Sequence, residues 1–224
     1  MTSDVSIVLF TLGTAALATL WILPLGLMAA WGLSRWSGPG KAVVETLFAL
    51  PMVLPPTAVG LLLLLALRRG GTLGQGLAQL HWEVLFTWRA VVLAGGIMAF
   101  PLLVRTLRTA FEGVDPRLLQ MARSLGSSPV QALFRVALPL AWRGILAGTL
   151  LAFSRALGEF GATILIAGNI PGRTQTLALA IFQRVELGHD DEALRLVLWT
   201  VLLAFLAVGA TEWLLRRETR RRDA

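Results

Sequence analysis

The chain has 224 residues, of which 56% are apolar and only 15% charged, with a mean hydropathy of +0.72. Soluble domains carry about 25% charged residues, so the balance excludes a soluble globular protein and fits one polytopic, all-α membrane bundle. A net charge of +7 would suit nucleic acid, but the arginines stand at the ends of apolar blocks, where they set topology. The absence of cysteine excludes disulfides and thiolate chemistry.

No cationic segment precedes the first apolar run, and no short apolar core ends at a cleavage site, so the N-terminus reads as a span and not as a leader. Val5 to Ser34 contains no charged residue, and about 20 apolar residues suffice to cross a bilayer. This is span one (5–34), with a bend expected near Pro24 and Trp21, Trp31 and Trp36 as interfacial candidates. Arg35 to Lys41 reads as a turn. Span two (43–67) is interrupted by Pro51, Pro55 and Pro56, which free carbonyls inside the membrane. Such backbone persists only where protein buries it or where it lines a water-filled cavity. It is therefore either a pathway-lining kink or a packing kink.

Arg68 to Trp88 is a glycine-rich loop with Trp82 and Trp88 as headgroup anchors, and span three (90–109) follows. Span four (140–168) passes through Arg155 and Glu159, which at i, i+4 share one helix face, with Thr163 a turn further along. Intramembrane charges face a bundle interior or a pathway. The pair either neutralises itself, or Arg155 attracts an anion while Glu159 orders the helix. Asn169 to Thr176 is a loop, Leu177 to Glu186 a short interfacial helix, 196–215 span five, and 216–224 a basic tail.

The stretch between spans three and four, 112–139, is polar and basic. Asp115-Pro116 supplies an N-cap with a proline at the first helical position. Leu118, Ala122 and Leu125 form an apolar stripe, and Gly126 suits the left-handed closure of a helix. Ser128-Pro129 repeats the start, and Pro139 is expected to stop the second helix. The segment is then a capped helix pair needing a partner, or an amphipathic linker on the membrane surface. If this loop is cytoplasmic, thirteen Lys and Arg lie inside and six outside, which puts the N-terminus outside and the C-terminus inside.

The loop resembles that of ABC-transporter permeases, E-A-A-x3-G-x9-I-x-L-P, with Gln120, Met121 and Ala122 in the first places, then Gly126, Val136, Leu138 and Pro139. Gln120 replaces the glutamate, so no salt bridge is carried over at that place. Arg155 to Thr176 (R-A-L-G-E-F-G-A-T-I-L-I-A-G-N-I-P-G-R-T-Q-T), Pro39-Gly40-Lys41, Leu50 to Pro56 and Arg105 to Asp115 resemble bacterial molybdate permeases. Sulfate permeases share the loop and the G-E-F-G element, so molybdate, tungstate and sulfate all stay open as substrates.

That resemblance implies an importer permease of the bacterial inner membrane. It would be a homodimer with its pathway at the dimer interface, and a periplasmic oxyanion-binding protein would deliver the substrate. Two ATP-binding subunits would grip the loop through Asp115, Arg117, Gln120, Ala122, Gly126, Leu138 and Pro139. Pathway candidates are Pro55, Pro56, Arg155, Glu159 and Thr163. The chain has no G-x-x-x-x-G-K-[ST] sequence, so ATP and magnesium belong to the partner, with no cofactor or metal held here. Beyond lipids and these proteins no partner is expected, nucleic acid included. An intramembrane enzyme is disfavoured: only His81 and His189 are present, both in expected outside loops, and Ser154 has no histidine within its span.

Overall fold

The computed structural model describes residues 4–80 and 82–219. His81 and, in the basic tail, Arg220, Arg221 and Arg222 fall outside the described residues. All regular structure described is helical. Helix α1 (Asp4–Arg35) runs unbroken through Pro24. Its hydroxyls are satisfied locally, with Thr11, Thr14 and Thr19 donating to the carbonyls of Ile7, Phe10 and Ala15 at 2.8–2.9 Å. An apolar setting requires this of any buried polar atom.

Helix α5 (Trp88–Glu112) forms the axis of the bundle, and Leu103, Leu107 and Phe111 on it are fully buried. α1 packs along one side, where Trp31 meets Phe111 edge-on at 5.4 Å. Helix α8 (Leu138–Leu157) packs along another, its Gly144 against Ala110 and its Gly148 against Thr106. Small residues at such contacts bring backbones close enough for dispersion to hold helices that lipid would otherwise solvate equally well.

The expected span 43–67 is not one helix. It is two, α2 (Lys41–Val53) and α3 (Pro56–Leu67), meeting at 105°. The amide of Leu54 makes the last bond of α2, to Leu50 at 2.9 Å, and Leu54 itself is extended (φ −69°, ψ 145°). Proline ring contacts push the preceding residue out of the helical region, so Leu54 ends α2. Pro55 then occupies the cap of α3 and Pro56 its first turn, where no donor is missed. After α3 come the short helix α4 (Gly74–Gln79) and an irregular stretch to α5.

Two further expectations change. Pro139 does not stop a helix: α7 (Pro129–Ala132) passes through a π turn (Leu133–Ala137) into α8 as one continuous 29-residue helix. The proline lacks an N–H, and its ring would strike a carbonyl of the preceding turn in an ordinary α-helix. The wider π turn just before it takes up both defects. The helix expected over 140–168 is also broken. α8 stops at Leu157, and a separate α9 (Gly161–Ala167) follows after Gly158. α10 (Leu177–Glu186) and α11 (Asp190–Thr219) complete the chain; the expected fifth span lies within α11. Among the described residues three helices, 4–35, 88–112 and 129–157, are long and apolar enough to cross a membrane, and the bent α2–α3 pair adds a fourth candidate.

Candidate functional site

Two places concentrate unusual chemistry. The first is the loop between α5 and α8. The Asp115 carboxylate accepts from the amide of Arg117 at 2.9 Å and starts α6 (Pro116–Ser124). Gly126, at φ +86°, ends it. The amides of Gly126 and Ser127 donate to the carbonyls of Arg123 and Ala122, both at 3.0 Å, a paired closure that satisfies the last turn. Ser128 and Gln131 then cap each other reciprocally at the start of α7. Every turn of the loop is held by its own hydrogen bonds.

Val114, Leu119, Ala132 and Ala137 of this segment are buried in the core, and Leu133, Val136 and Leu138 pack against it. The expected stripe exists but points away from the protein. Leu118 is 42% exposed and Leu125 86%, while Ala122 is half-buried. Met121 (62%), Val130 (62%) and Phe134 (63%) extend the row. Leu119, one position off the stripe, is the anchor. Asp115, Arg117, Gln120 and Pro139 are exposed, and Leu138 packs against the core. Met121, Val130 and Phe134 were missed in the sequence because an apolar side chain's exposure depends on what the fold packs against it.

The second place is where two broken helices meet. A Cβ on Gly60 would lie 2.8 Å from the Cα of Ala162, and one on Gly161 would lie 2.7 Å from Pro56 Cβ. α3 and α9 therefore touch through bare backbone, and the break after Leu54 sits beside the break after Leu157. Pro55 and Pro56 are exposed there. The Glu159 carboxylate, 3% exposed, spans the second break: one oxygen pairs with Arg155 Nη1 at 2.7 Å and the other accepts from the amide of Ala162 at 2.9 Å. It neutralises a cation at the end of α8 and satisfies a free donor in the first turn of α9.

The structure thus joins Arg155 and Glu159 in an ion pair, but not as two residues of one helix face. Glu159 lies beyond the end of α8, and Thr163 belongs to α9. Thr163 is 1% exposed and shares with Glu159, Thr11, Thr14 and Thr176 a void of about 10 Å³, roughly room for one water. Of these three groups only Arg155, whose side chain is 32% exposed, reaches a surface.

The loop at 169–176 is more buried than a loop in this position suggests. Thr174, Gln175 and Thr176 are each at most 7% exposed. Thr174 Oγ1 accepts from the amide of Ile170 at 3.0 Å, and the side-chain amide of Gln175 donates to Gln183 at 2.6 Å. The alternation of threonine and glutamine with a polar partner on α10 was the available signal. No group of three or more metal-ligating side chains occurs among the described residues.

Residues 22–220 match the family described as "Binding-protein-dependent transport system inner membrane component". The chain is 44% identical over 213 residues to the molybdenum transport system permease protein ModB of Escherichia coli, covering 93% of this chain and 92% of that one. It is 40% identical to ModB of Haemophilus influenzae, over 96% and 94% of the two chains. The sulfate transport system permease protein CysT of Salmonella typhimurium is 37% identical, over 79% of this chain and 64% of its own. Among solved structures, a chain of the MetNI methionine ABC transporter in inward-facing conformations superposes with a TM-score of 0.73 at 15% identity, covering 95% and 94% of the two chains. A chain of a bacterial alginate importer gives 0.75 at 16%, covering 97% and 80%. With one helix broken at a proline pair, another at a buried ion pair, and a family match across nearly its whole length, the chain belongs to the inner-membrane components of binding-protein-dependent transport systems.

Proposed function

We infer that the chain is the permease subunit of an ATP-driven importer that carries molybdate inward. Two copies form the pathway between them, each is gripped by an ATP-binding subunit through α6 and α7, and a periplasmic binding protein delivers the oxyanion. The observation that carries the coupling role is the exposed apolar row of Leu118, Met121, Leu125, Val130 and Phe134 on a loop whose every turn is hydrogen-bonded. A stiff, partly apolar knob outside the bundle is suited to docking, because it loses little conformational freedom when it binds.

Orientation follows the cation count, with this knob in the cytoplasm and five spans from an external N-terminus. Hydrolysis of ATP with magnesium occurs in the partner; this chain supplies motion and a route. Pro55 and Pro56 at one break and the Arg155–Glu159 pair at the other place polar backbone and a half-exposed guanidinium where an anion would pass. The glutamate keeps that guanidinium from binding the anion too tightly for release.

The molybdate reading rests on end-to-end likeness to permeases named for that substrate. The likeness to a sulfate permease, over a smaller share of both chains, keeps sulfate as the second reading. Proteoliposomes holding the full complex decide between them. We expect ATP-dependent uptake of labelled molybdate that a hundredfold excess of sulfate leaves largely intact. Full competition by sulfate would reassign the substrate, and failure of an ATPase to co-purify with the chain would remove the importer reading itself.

A further inference from the structure

A cavity of about 400 Å³ opens beside the α5 end that leads into the α6–α7 loop, between the last turn of α1, the α5-facing side of α2 and the second half of α5. Its walls are mostly apolar, from Leu33, Phe48, Met52, Pro101 and Val104, and Glu45, Arg105 and Arg108 complete its lining. The charges around it are unevenly engaged. Arg108 pairs with Glu45 at 2.6 Å and Glu112 at 2.7 Å, and Lys41 lies 3.8 and 3.9 Å from the same two carboxylates. These four groups neutralise one another. Arg105, one turn before Arg108, is exposed and has no ion-pair partner among the described residues.

We propose that this cavity is a binding site for one anionic phospholipid, its headgroup phosphate on Arg105 and an acyl chain along the Phe48–Met52–Val104 wall. The position fits, since the ends of α1 and α5 and the start of α2 mark the edge of the apolar zone, where headgroups lie. Basic pockets between spanning helices take anionic headgroups for the same electrostatic reason. The chemistry also selects against a free oxyanion, which would need several hydrogen-bond donors and gains nothing from apolar walls. A zwitterionic lipid offers the same phosphate but brings its own cation, which offsets the attraction to Arg105, so a net-anionic headgroup is preferred. The site requires only that the chain lie in a membrane and is independent of which substrate crosses.

The test is native mass spectrometry of the full chain, purified with its ATP-binding subunits from nanodiscs of mixed phosphatidylglycerol and phosphatidylcholine. We expect one phosphatidylglycerol retained per chain in preference to phosphatidylcholine. Arg105→Gln should lower that retention about fivefold, the effect of losing one surface cation near anionic lipid. Ala49→Trp, which fills the wall, should lower it as well. Arg173→Gln, at the opposite end of the molecule, should not. Arg105 is exposed, so its variant tests the site even where the tryptophan variant fails to assemble. Equal retention of both lipids, or unchanged retention in Arg105→Gln, overturns the proposal. Displacement of the lipid by millimolar inorganic phosphate or molybdate also overturns it, by making the site one for free anions.

Discussion

The α6–α7 loop and the junction between α3 and α9 are both irregular interruptions of long helices, yet they are held in opposite ways. In the loop each turn closes on residues two to five positions away, through the Asp115 cap, the closure at Gly126 and the Ser128–Gln131 box. At the junction the determinants are a hundred residues apart, with Gly60 seated on Ala162 and Pro56 on Gly161. The lesson is one of fragility. A locally closed turn loses one bond at a time, whereas a backbone-on-backbone contact has no side chain that can give way.

The comparison is broken most directly at Gly60. Gly60→Val should abolish uptake and reduce the amount of chain accumulating in the membrane, because overpacking here meets backbone and costs about 1–3 kcal/mol or more. Normal accumulation and uptake would show that the two half-helices move apart freely. Next is Arg155→Ala, which strands a buried carboxylate; removing one partner of a buried pair costs roughly 3–5 kcal/mol, with the lower end expected because Arg155 is partly exposed. Glu159→Gln keeps the shape and the amide bond but loses the ion pair. It should impair transport less than Arg155→Ala and more than Gln120→Ala, and equal uptake by all three would sink the clasp role of Glu159.

In the loop the effects should be smaller and more selective. Gly126→Val forces a β-branched residue to φ +86°, at about 1–2 kcal/mol, and should leave insertion intact while separating ATP hydrolysis from uptake. Substrate-stimulated, vanadate-sensitive ATPase at the ordinary rate with full uptake would contradict it. Ser128→Ala should be mildest, about 1 kcal/mol, seen as a slightly lower melting temperature of the complex with uptake nearly unchanged.

The same division explains what could be read from the chain alone. Asp115-Pro116, Gly126 and Ser128-Pro129 announce themselves because capping is a matter of neighbours. The doubled proline at 55–56 likewise announces a break, though not the 105° turn, which depends on what α3 packs against. The end of α8 was hidden. Arg155 and Glu159 at i, i+4 look helical whether or not the helix continues, and the contact of Gly161 with Pro56 beside the break is visible only in the fold. The charge cluster at Lys41, Glu45, Arg108 and Glu112 was half visible as two opposite-sign i, i+4 pairs whose meeting required the fold.

The π turn at Leu133–Ala137 has a consequence for how this gene tolerates change in length. It carries one residue more than an α turn would. Because the π turn spreads its extra residue over nearly the same rotation as an α turn, a single deletion within 133–137 would leave the facing of α8 almost unchanged, but it would restore an ordinary α turn in which the Pro139 ring strikes a carbonyl. Substitutions at these positions should therefore be tolerated far better than frame-preserving losses of one codon.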